Sequence, residues 1–204
     1  MNDLTDLARR LCSLPPSCGP VRLVAVDGHA GSGKSTFAGR LAAALGGAPV
    51  LRLDDLATHE ELFAWTDRLR AQFLDPLARG ASARYAPYDW TARCFGPPRT
   101  LDPAPVMLIE GVGAGRAAVR PFLAGLLWME GDREASWEQG RRRDGPGLAK
   151  FWDGWVLAEH RHFADDPSYP FADAVVRRMP TGYMWLEGPH PTAVTSRIVT
   201  DSEA

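Results

Sequence analysis

Lysine and asparagine are nearly absent: 204 residues contain two lysines, Lys34 and Lys150, against 21 arginines, and one asparagine, Asn2. A single asparagine beside Asp3 rules out the Asn-Lys-x-Asp signature by which guanine-nucleotide switches read their base. Cysteine is also scarce. Cys12, Cys18 and Cys94 cannot all pair with one another, and no Cys-x-x-Cys or Cys/His cluster suggests zinc. Reduced thiols and a cytoplasmic setting are expected. No apolar run approaches membrane-spanning length. Residues 1–14 carry Asp3, Asp6, Arg9 and Arg10 and lack the apolar block of a signal peptide. The net charge of −2 gives no electrostatic case for nucleic acid or an anionic membrane.

What is present points to one ordinary α/β domain, since a hydrophobic content of 45% can fill a core. A short helix is expected over 2–13, then breaks at Pro15-Pro16 and Gly19-Pro20. Strand-like runs follow at Val21–Val26, Val50–Leu53, Val106–Ile109, Leu126–Met129 and Ala172–Val176. Helical spacing marks Thr36–Leu45, Leu62–Leu77, 116–124, 133–143 and Leu148–Phe163. The stretch 79–105, rich in Pro, Arg and aromatics, reads as an irregular excursion, and the chain beyond Pro180 as a loose tail. Alternating strands and helices predict a parallel sheet covered on both faces, with a site along its carboxyl edge.

Residues 28–35 read Gly-His-Ala-Gly-Ser-Gly-Lys-Ser, which fits G-x-x-x-x-G-K-[ST] between a strand and a helix. Small residues let backbone N–H groups turn toward phosphate oxygens, and the next helix adds its positive end. Gly28, Ala30, Gly31, Ser32, Gly33, Lys34, Ser35 and Thr36 form the expected cradle. Lys34 reaches the β- and γ-phosphates, and the Ser35 hydroxyl holds Mg²⁺. A chain that uses arginine almost everywhere keeps a lysine here, where a compact ammonium fits and a planar guanidinium does not.

Carboxylates end the strands. Asp54 and Asp55 follow the second strand, and one of them, with Asp54 favoured, is expected to accept a proton from a substrate hydroxyl. Glu110 ends the third strand and is expected at the Mg²⁺. Asp27 either contacts substrate or holds the loop. Arg141, Arg142 and Arg143 precede Gly145-Pro146-Gly147, an arrangement suited to a lid that stabilises a migrating phosphate, with Arg141 and Arg143 as candidates. Tyr85, Tyr88, Asp89 and Trp90 could sandwich a planar substrate or form a small core beneath the excursion. Trp152 and Trp155 read as packing.

With these residues in place, the chain resembles the uridine kinase and phosphoribulokinase-like branch of the P-loop kinases over roughly residues 20–180. The likeness rests on Val26-Asp27-Gly28 with the cradle, Leu53-Asp54-Asp55-Leu56, Tyr88-Asp89-Trp90, Ile109-Glu110-Gly111, Arg143-Asp144 and Ala172–Val176. It implies a three-layer α/β/α P-loop NTPase fold with a mainly five-stranded parallel sheet and a short lid. One domain would span 1–180, with the excursion 79–105 on the substrate side, a lid region at 133–150, and a tail at 181–204. It implies an ATP- and Mg²⁺-dependent kinase of a small-molecule hydroxyl, with Asp54 as base and Asp55, Tyr85, Tyr88, Asp89 and Trp90 at the acceptor. The chain departs from the family where Thr91-Ala92-Arg93 follow Trp90, at Ala57, and at Gln139 and Gly140, where lid arginines would fall. The acceptor is therefore left open, and a homo-oligomer is compatible with the sequence.

Overall fold

Alternation within continuous apolar runs builds the sheet. In β1 (Arg22–Asp27), Leu23 and Ala25 face one side while Val24 and Val26 face the other. In β7 (Val106–Glu110) Met107 and Ile109 share the first face, and in β8 (Gly125–Met129) Leu126 and Trp128 do. Both faces of these strands are buried, as a parallel sheet requires.

The computed structural model describes residues 3–190. Its central sheet has six strands in the order β10-β9-β8-β1-β7-β2, where β2 is Val50–Arg52, β9 is Ala174–Met179 and β10 is Gly182–Glu187. Five run parallel, and β10 pairs antiparallel with β9, from Gly182 opposite Met179 to Glu187 opposite Ala174. The tail expected from 181 onward thus begins with an edge strand, which buries Trp185. Residues 191–204 of that expected tail lie outside the described residues.

Helices cover both faces. On one lie α1 (Leu4–Ser13), capped by Asp3 through the N–H groups of Thr5 and Asp6, and α2 (Lys34–Ala44). On the other, a helical run buries Trp65, Leu69, Phe73 and Leu77. It comprises α3 (Thr66–Leu69), a π-helical segment Arg70–Leu74 and α4 (Asp75–Ala78). Each large apolar side chain so buried stabilises the fold by roughly 2 kcal/mol. The helices α5 (Arg133–Asp144) and α6 (Ala149–Asp165) stand over the carboxyl edge.

Two expectations fail locally. The segment 116–124 is no helix. Pro121 lacks a donor, Asp27 ties down the N–H groups of Gly113 and Gly115, and one 3₁₀ turn (Arg120–Phe122) remains. The excursion is more regular than expected: β3 (Ala83–Tyr85) pairs with β6 (Arg99–Leu101), and β4 (Tyr88–Asp89) pairs with β5 (Cys94–Phe95).

Strand β1 lies between β7 and β8, while the chain leaving β1 crosses over to the outer strand β2. Crossovers therefore diverge at the carboxyl end of β1, which opens a crevice there.

Candidate active site

The glycine-rich loop fills that crevice. Helix α2 starts at Lys34 with Gly33 as N-cap and no side chain bonded to its first turn, so its leading N–H groups stay available for an anion. Gly31 has φ +83°, and a Cβ there would stand 1.9 Å from the Ser136 carbonyl oxygen, so α5 lies directly against the loop. Lys34 is buried, and its Nζ donates to the carbonyls of Gly28 (3.0 Å) and His29 (2.9 Å). The Ser32 hydroxyl is buried without a hydrogen-bond partner among the described residues, which fits a loop built for an acceptor-rich ligand.

A cavity of about 650 Å³ opens beside the loop. Ala30, Gly31, Gly33, Lys34, Ser35 and Thr36 form its phosphate-binding wall. Asp54 and Glu110 enter from the ends of β2 and β7, and Arg143 enters from the last turn of α5. Glu110 is buried and hydrogen-bonds to Ser35. Burial pushes its pKa up, Lys34 opposes this, and Asp54 adds to it. Solvent reaches Asp54, but the surrounding protein raises its pKa too, against the pull of Lys34, Arg143 and Arg52.

Other expected residues lie elsewhere. Asp27 does not contact the cavity. It is fully buried, with Oδ1 accepting from Gly28 N (2.7 Å) and Gly113 N (2.9 Å), and Oδ2 from Gly115 N (2.8 Å). Of its two open roles, the geometry matches holding the loop. Arg141 turns away from the cavity to pair with Asp153 on α6 at 2.8 Å, and Arg142 pairs with Glu138. Asp55 accepts from the Tyr85 hydroxyl at 3.4 Å and stands near Arg99. Burial raises its pKa, against Arg99 and Tyr85. Asp89 accepts from the N–H groups of Thr91 (2.9 Å) and Ala92 (2.8 Å), so it shapes its own turn. The buried Tyr88 has its hydroxyl 3.0 Å from His59 Nδ1. From that cluster Trp90 reaches the cavity, and its indole donates to the Asp54 carbonyl at 3.0 Å.

Several cavity residues carried no sequence signal. His59 and Phe151 lie against Trp90, with ring centroids 4.9 and 5.7 Å away. Trp152 and Trp155 pack as expected and also line the cavity. A Cβ on Gly140 would stand 2.2 Å from the Trp152 ring, so that lid position has no room for a side chain. Asp144 receives the Arg143 guanidinium through two contacts, 2.6 and 3.0 Å.

No family model and no curated protein matches the chain. Solved structures do. One, described as a possible uridine kinase from Bacillus stearothermophilus, is 17% identical with a TM-score of 0.57, covering 84% of this chain and 96% of that one. Another, a candidate fructose transport system kinase from Silicibacter sp. TM1040, is 21% identical with a TM-score of 0.54, covering 78% and 88%. The likeness is one of architecture: the chain has a P-loop kinase fold. That fold agrees with the one the sequence resemblance implies.

Proposed function

We propose that this protein is a small-molecule kinase that moves the γ-phosphate of ATP to a hydroxyl group, as uridine kinases do. The convergence of Lys34, Ser35, Asp54, Glu110 and Arg143 on one cavity carries the reading. The acceptor oxygen attacks the γ-phosphorus, the bond to the bridging oxygen breaks, and ADP leaves. Asp54 takes the hydroxyl proton, and its raised pKa suits that task. Lys34 and Arg143 offset charge on the phosphate oxygens. The Ser35 hydroxyl bonded to the Glu110 carboxylate is an oxygen donor set that fits Mg²⁺. Bound there, the ion would supply charge neutralisation to the phosphates.

The cavity also bears on the acceptor. Its cations among the described residues are Lys34 and Arg143, both acting on Asp54, while His59, Trp90, Phe151 and Trp155 supply aromatic surface. An uncharged alcohol with an apolar or planar body suits this wall better than a carboxylate or phosphate ester. A nucleoside is the first such compound. A non-nucleoside metabolite or antibiotic hydroxyl is the second reading, favoured because Tyr88 and Asp89 are engaged with His59 and with their own turn. The three free thiols agree with a cytoplasmic setting, and no described helix is long and apolar enough to cross a membrane.

The test is ADP release from Mg–ATP across a panel of nucleosides, sugar acids, pantothenate-like hydroxy acids and antibiotic alcohols, with phosphorylated product identified by mass. Acceptor-dependent turnover on an uncharged alcohol supports the reading. Preference for a carboxylate overturns the acceptor assignment. Nucleotide binding with no phosphorylated product from any acceptor favours a non-catalytic nucleotide-binding protein.

A further inference from the structure

Glu159 takes no part in the chemistry above, yet it lies fully buried on α6 directly behind the glycine-rich loop. Its Oε1 receives His29 Nδ1 at 2.8 Å and Trp137 Nε1 at 2.9 Å. Its Oε2 receives Ala30 N at 3.1 Å and Trp155 Nε1 at 2.9 Å. Two of these donors belong to the loop, one to α5 and one to α6. Burial alone would raise its pKa, but the hydrogen bonds from His29 and Trp155, helped by Lys34, hold it below the ordinary value. A buried, ionised carboxylate is costly unless every oxygen is satisfied, and here each accepts two donors.

The donors converge from three elements that the site needs in register. The loop positions Lys34 and the phosphate-facing N–H groups. Helix α5 carries Gln139, Gly140 and Arg143 to the cavity. Helix α6 carries Trp152, whose indole bonds to Asp144, the partner of Arg143. The rings of Trp128, Trp137 and Phe163 pack against His29 in T-shaped contacts, with centroids 5.5, 6.1 and 5.3 Å away, and hold it beside the carboxylate.

We propose that Glu159 is a positioning residue: it keys the phosphate loop to the two helices behind it and so fixes the loop in its phosphate-gripping shape. The inference rests on the kinase reading above, because it takes the loop to hold a polyphosphate. A glutamine at 159 keeps the volume but turns an NH₂ toward two donors, which leaves them unpaired. Removing the hydrogen-bond partners that orient metal ligands commonly costs about 10–100-fold at the site, and a loss of that order is expected at the loop.

The experiment is calorimetric titration of Mg–ADP and of a non-hydrolysable Mg–ATP analogue into the wild type, Glu159→Gln, Trp137→Phe and Phe73→Leu, well below each unfolding midpoint. Trp137→Phe removes one donor and keeps an aromatic ring, a smaller one, in its place. Phe73→Leu loosens the core beneath the helical run of α3, the π-helical segment and α4 and serves as the destabilised control. Weaker binding of both nucleotides, by about tenfold or more in Glu159→Gln and less in Trp137→Phe, with Phe73→Leu unchanged, is the expected result. Wild-type affinity in Glu159→Gln overturns the inference, and so does an equal loss in Phe73→Leu. Should Glu159→Gln not fold, wild-type affinity in Trp137→Phe overturns it. Absence of binding by the wild type instead removes the kinase reading itself.

Discussion

The Trp152 indole donates to the Asp144 carboxylate at 3.1 Å, and the same carboxylate grips Arg143. Arg143 is thereby steered to the cavity wall near Asp54, while its neighbours Arg141 and Arg142 pair elsewhere. Arg143→Ala should lower kcat by about 10²–10³-fold, the usual cost of removing a group that meets developing charge. Trp152→Phe, which removes one hydrogen bond, should cost less. Steady-state kinetics with saturating acceptor checks the order.

Asp54 lines the cavity, while Asp55 turns to Tyr85. Asp54→Asn should lose turnover by about 10²–10⁴-fold and keep Mg–nucleotide binding. Asp55→Asn should retain most turnover. Single-turnover kinetics paired with nucleotide titration separates the two.

Arg52 is largely exposed, and it lowers the pKa of both Asp54 and Glu110. The base works when ionised, so the rate should rise with pH as Asp54 loses its proton. Arg52→Ala removes a charge that favours the ionised form, so the acid limb of the kcat–pH profile should move to higher pH. A limb that stays in place would assign it to another group.

Asp27 ties the loop to the segment after β7 and does not line the cavity. Its carboxylate satisfies three buried N–H groups. Asp27→Asn retains one acceptor oxygen and should destabilise the protein by about 2–3 kcal/mol, read as a lowered unfolding midpoint. Residual turnover at low temperature should survive better than in Asp54→Asn.

Much of this was legible in the chain. The apolar runs that became β1, β7 and β8 were continuous, as strands buried on both faces require, and the candidate phosphate loop stood out by its spacing. Lys34, Ser35, Asp54, Glu110 and Arg143 could be named as candidates because each lies at or next to the end of an element at the sheet's carboxyl edge. Strand β10 was not legible, since Trp185 alone of its six residues is buried and its partner β9 supplies the pairing. The role of Asp27 depended on Gly113 and Gly115, which the fold alone brings near. Glu159 lay equally hidden: on a helix with Trp152 and Trp155, a glutamate reads as a surface charge until His29 and Ala30 arrive from 130 and 129 residues away.

The central claim is that the loop at Gly28–Ser35 grips a magnesium-bound nucleoside triphosphate through Lys34. Isothermal titration of Mg–ATP into the folded protein and into Lys34→Ala tests it most directly. Saturable one-to-one binding by the wild type, weakened by at least about tenfold in Lys34→Ala, is the result predicted. No binding by the folded wild type, or equal affinity in both proteins, would contradict it.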